Sequence, residues 1–113
     1  MTAKETFGEH LKKLREEHGL PLRKVASALD LDPSTLSKIE RGERTANKDM
    51  LPILADLFNE DEKELCLILF SDKVAYQLIE EDNANDILKV AEEKIHYLKS
   101  KKVKQGQIEF KNR

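Results

Sequence analysis

The sequence predicts an all-α protein, with four short helices in the N-terminal half and two longer ones behind them. Three observations predict it. Apolar residues recur three and four apart along most of the chain, the period of an amphipathic helix. Residues that start and stop helices stand at the ends of those runs. No segment alternates apolar and polar residues as a half-buried strand would.

The first helix is expected from Thr6 to His18, with Phe7, Leu11 and Leu14 as its apolar stripe. Thr6 and Glu9 have the spacing of a capping box, and Gly19 supplies a left-handed stop. The second runs from Pro21 to Leu29, with Leu22, Val25, Ala26 and Leu29 facing inward. Asp30 follows its end, where a positive φ is expected, and Asp tolerates that better than most residues. Asp32 reads as N-cap and Pro33 as first residue of a third helix that ends at Arg41 before Gly42. Only Leu36 and Ile39 in it are strongly apolar. The fourth helix is expected from Asn47, as N-cap, to Phe58, with Leu51, Leu54, Ala55 and Phe58 inward.

Asn59 to Asp61 is the expected boundary of this first unit, residues 1–60. The fifth helix is expected over residues 62–81, with Ser71-Asp72 a candidate break. A turn at 82–85 leads to a sixth helix over 85–100. Its Leu88, Ala91, Ile95 and Leu98 alternate three and four apart, the spacing of a narrow apolar seam. Barely two heptads are too short for a free coiled coil. Residues 61–100 therefore read as a helical extension and 101–113 as a basic tail, with a candidate extended stretch at Gln107 to Phe110.

The net charge of −2 conceals an uneven distribution. Residues 1–60 hold 10 basic and 11 acidic side chains, and residues 61–100 hold 5 and 10. Lys38, Arg41, Arg44 and Lys48 cluster locally, which is enough to attract phosphate. The lone Cys66 lies in an apolar run and is expected to be a buried small hydrophobe. With no leader and no apolar stretch of spanning length, a reducing cytoplasm is the expected location. His10, His18 and His96 lack metal-ligand spacing and are expected at the surface or partly packed. No phosphate loop, nucleophile elbow or zinc signature is present, so neither an enzyme nor a cofactor is expected.

The run from Phe7 through Leu20, then Val25-Ala26, then Ser34 to Gly42 (Ser-Thr-Leu-Ser-Lys-Ile-Glu-Arg-Gly) resembles the lambda repressor/Cro-like, Xre-type helix-turn-helix family. Ser34 to Gly42 is the most specific part. The resemblance implies a lambda repressor-like helix-turn-helix domain followed by two C-terminal helices, and a sequence-specific DNA-binding regulator. It implies that the third helix enters the major groove, with Pro33, Ser34, Ser37 and Lys38 reading bases. Thr35, Arg41, Arg44, Asn47 and Lys48 would hold phosphates. The family commonly has glutamine at the position of Leu22, where it touches phosphate. Leucine cannot, which moves that contact to Arg23 or Lys24. Asp30 stands where the family often has glycine. Arg15 and Glu40 match positions that form a buried ion pair in phage repressors.

Family members usually bind DNA as two-fold dimers, so the seam Leu88, Ala91, Ile95 and Leu98 is expected to make a homodimer. A repressor at a palindromic operator is the expected use, in phage control, restriction–modification control or as an antitoxin. A protein-interaction adaptor on the same fold is the rival, and it would carry an apolar patch on the third helix. The tail (Lys101, Lys102, Lys104, Lys111, Arg113) reads either as a solvated end or as a contact to phosphate or to a partner subunit.

Overall fold

The structure, a computed structural model, describes residues 5–105. Among them are six helices and no strand: α1 (Phe7–Glu17), α2 (Leu22–Ala28), α3 (Pro33–Glu40), α4 (Met50–Phe58), α5 (Glu62–Leu78) and α6 (Ala84–Gln105). The helices group into two compact units, one ending at Tyr76 and one beginning at Gln77.

In the first unit the boundaries follow from local chemistry. Thr6 Oγ1 accepts from the Glu9 N–H at 3.2 Å, and Glu9 Oε1 accepts from the Thr6 N–H at 3.1 Å. That capping box satisfies two of the donors a helix start leaves open. The first four helices each stop at a left-handed residue: Gly19 (φ 64°), Asp30 (φ 58°), Gly42 (φ 78°) and Asn59 (φ 54°). After α1, the Leu20 N–H returns to the Arg15 carbonyl at 3.0 Å. After α2 the Leu31 N–H returns to Ala26 at 2.9 Å, and after α3 the Glu43 N–H returns to Lys38 at 2.8 Å. These are the backbone bonds of a Schellman stop. Asp30 and Asn59 tolerate the conformation because their short polar side chains suit left-handed backbone.

Two start signals work differently from expectation. Asp32 precedes α3, but its carboxylate makes no cap hydrogen bond, so Pro33 at the first helical position marks the start. Asn47 does not cap α4. Its Oδ1 accepts from the Asp49 N–H at 2.9 Å and closes a turn, and the helix begins at Met50. Pro52 then falls in the first turn, where its missing N–H is not needed.

The core is built from one stripe per helix. Phe7, Leu11 and Leu14 meet Val25, Ala26 and Leu29, Leu36 and Ile39, then Leu51, Leu54 and Phe58. It does not stop at residue 60. Leu65, Ile68 and Leu69 of α5 are as deeply buried as the rest. Each such side chain contributes about 1.5–3 kcal/mol on burial, so α5 is a full member of the unit. Ser71 and Asp72 do not break it. The Ser71 hydroxyl donates back to the Ile68 carbonyl at 3.0 Å, and Asp72 Oδ2 accepts from the Phe7 N–H at 2.8 Å. Leu67, Phe70 and Val74 form an exposed stripe on the opposite side of α5.

Cys66 is half-buried at the edge of the core rather than inside it, because it lies on the flank of α5 between the two stripes. His10 is buried rather than superficial, with Nδ1 3.1 Å from Glu5 Oε1. Burial works to raise the Glu5 carboxyl, but the His10 hydrogen bond and the charges of Lys13 and His10 outweigh it and hold the group below its ordinary value.

In the second unit α6 runs on through Lys101 to Gln105, past the expected end at Ser100. Leu88, Ile95 and Leu98 are exposed and Ala91 is half-buried. Val90 and Tyr97 are exposed as well, on the other side of the helix. Gln107 to Phe110, Lys111 and Arg113 lie outside the described residues. Among the described residues, no helix is long and apolar enough to cross a membrane.

Candidate nucleic-acid interface

α3 is held from behind. Leu36, Ile39 and Glu40 are buried, while Pro33, Ser34 and Lys38 are exposed and Ser37 is half-buried. Residues 34, 37, 38 and 41 share one face by helical spacing. That face carries hydroxyls and cations and no large apolar side chain, as a surface that exchanges water for base edges requires.

Two contacts fix the helix. Gly8 lets α1 lie directly on the end of α3. A Cβ at Gly8 would stand 2.7 Å from the Glu40 carbonyl oxygen and closer still to that of Ile39. Arg15 of α1 then reaches Glu40, with Nε at 2.7 Å from Oε2 and Nη2 at 3.1 Å from Oε1. Its Nη1 donates to the Leu20 carbonyl at 3.1 Å. The Glu40 hydrogen bond raises the Arg15 pKa despite partial burial. A bidentate fork of this kind satisfies the otherwise costly buried carboxylate.

The other cations frame the face. Arg23 is exposed on α2 and lines an open depression of about 450 Å³ with Ser27, Asp30, Leu31, Asp32 and Pro33. It therefore lies beside the start of α3. Lys24 is exposed one residue further on, and Leu22 is half-buried against the core. Thr35 is half-buried. Arg44, Asn47 and Lys48 are exposed in the segment after Gly42. Arg41 is exposed too but engaged: it donates to both carboxylate oxygens of Glu43, at 2.9 and 3.2 Å, and to Ser37 Oγ at 2.6 Å. Sequence reasoning missed Glu43, although an acidic residue two places after an arginine at a helix end was the available signal.

A short polar helix carried on a buried scaffold, with a tight left-handed turn before it and cations around it, defines a helix-turn-helix DNA-binding domain. Residues 11–65 match the sequence model of the helix-turn-helix family, and this stretch of the chain belongs to that family in its Xre, lambda repressor-like form. The match supports a DNA-binding transcription regulator of the Xre type. Comparisons with curated proteins and with solved structures gave no match.

Proposed function

We propose that the protein is a repressor that binds a palindromic operator as a homodimer. The observation that carries the reading is the outer face of α3, polar and basic on a helix clamped by Gly8, Arg15 and Glu40. Lys38, Ser34, Ser37 and Pro33 are the base readers in this proposal. Lys38 is the strongest of them, since an ammonium can donate to guanine O6 and N7. Arg23, Lys24, Thr35, Arg44, Asn47 and Lys48 hold phosphates on either side. An adaptor surface is disfavoured because α3 presents no apolar patch.

The exposed stripe Leu88, Ile95 and Leu98, with Ala91 beside it, supports pairing through α6. Two recognition helices related by a two-fold axis would sit about 34 Å apart. Repression then needs no further surface, because occupancy of the operator excludes other proteins from it.

Selection from a random duplex pool, followed by mass measurement of the complex, tests the reading. The expected result is an inverted repeat bound by two copies. Failure to enrich any sequence overturns DNA-specific binding, and a one-copy complex overturns the dimer. Lys38→Ala is expected to relax choice at one position per half-site by about 1–3 kcal/mol, whereas Arg44→Ala weakens all sequences alike.

A further inference from the structure

Arg41, which closes α3, is in line with the reading face at its C-terminal end. By helical position it lies between Ser37 and the pair Ser34 and Lys38. The left-handed turn at Gly42 and the Glu43 N–H bond to the Lys38 carbonyl, at 2.8 Å, bring Glu43 back beside it. The Glu43 carboxylate takes two of the five guanidinium donors, and Ser37 Oγ takes a third. Glu43 in turn titrates below its ordinary value because of the Arg41 hydrogen bond, and its side chain is 56% exposed. A fixed negative charge on a surface that approaches phosphates needs a reason.

We propose that Glu43 is a specificity-determining residue that holds Arg41 on the base-reading face and keeps it from binding phosphate on non-operator DNA. This rests on the DNA-binding reading above. Held against Ser37, Arg41 also sets the polarity of that hydroxyl. A guanidinium can only donate, so Ser37 Oγ accepts at this contact and keeps its own proton to donate elsewhere. The proton Ser37 retains suits acceptor edges: guanine O6 or N7, adenine N7, thymine O4. On random DNA the intact pair withholds one cation from the phosphates. Because the pair is solvent-exposed, the discrimination it supplies is modest.

The test uses the full chain and a random-sequence duplex, with affinity measured over a range of salt. Glu43→Gln is expected to raise affinity about twofold to fivefold, the scale of an exposed ion pair. It should also steepen the slope of log affinity against log salt by about 0.9, the signature of one added phosphate contact. Arg41→Ala should leave the slope of the wild type unchanged and remove the added increment in the Glu43→Gln background. An equal loss of slope in both backgrounds overturns the proposal and makes Arg41 an ordinary phosphate contact. Carboxyl NMR titration without DNA gives an independent reading: Arg41→Ala should return Glu43 to its ordinary range, and no movement overturns the proposal. A wild type that binds no duplex would instead overturn the DNA-binding reading itself, and the proposal with it.

Discussion

The backbone N–H of Phe7 donates a 2.8 Å hydrogen bond to Asp72 Oδ2, so the start of the first helix is capped by a residue of the fifth. Helix starts leave N–H groups without partners, and a carboxylate there also meets the positive end of the helix dipole. Asp72→Ala is expected to cost about 0.5–2 kcal/mol, the usual range for a lost cap. Melting followed by circular dichroism should fall by several degrees. Asp72→Asn, which keeps an acceptor oxygen, should lose less, and an unchanged melting point in the alanine variant would show that the bond contributes nothing.

Gly8 is a matter of space rather than of backbone conformation. The atoms a methyl would strike are the carbonyl oxygens of Ile39 and Glu40, which cannot rotate away. Gly8→Ala is expected to destabilise by about 1–3 kcal/mol or more, despite the better helix propensity of alanine. It should also lower DNA affinity, because relief comes from pushing α3 outward. Denaturant melts and a gel shift check both; a stabilised variant with unchanged binding would contradict the close approach.

Arg15→Ala leaves Glu40, whose side chain is 5% exposed, without its counter-charge. Loss of one partner from a buried pair costs about 3–5 kcal/mol, more than the intact pair contributes. Glu17→Ala, an exposed change on the same helix, should cost a few tenths. Thermal melts of the two variants should differ clearly, and similar losses would refute the clamp.

Glu5 gives a pH dependence with a definite sign. Its folded pKa is lowered from the ordinary 4.5, chiefly by the His10 hydrogen bond working against burial. A lowered carboxyl binds fewer protons folded than unfolded, so its contribution is complete above pH 4.5 and is lost as pH falls through the folded value. Stability measured in urea from neutral pH into the acid range should decline less steeply for Glu5→Gln. Parallel curves for the two proteins would remove Glu5 as a cause.

Local chemistry was legible and distant partners were not. Thr6 with Glu9 announces a capping box within four residues, and Asp30 is recognisable as left-handed because a helix ends just before it. The Arg15–Glu40 contact came from resemblance, since nothing in the spacing of 25 residues encodes it. Asn47 misled because a side chain that closes a turn and one that caps a helix look identical in sequence. Ser71-Asp72 looked like an interruption because its acceptor role is addressed to a helix 65 residues away. Gly8 carried no signal of its own, since its meaning depends on a neighbouring backbone, whereas Glu43 carried only its place two residues after Arg41.

The strap from Asp72 to Phe7, together with Leu65, Ile68 and Leu69, decides where this reader can be cut out and moved. Excision after residue 60 would strip a wall from the core and uncap the opening helix, leaving a fragment with raw apolar edges and a tendency to aggregate. A graft onto another effector should carry the chain through Tyr76, where the first compact unit closes.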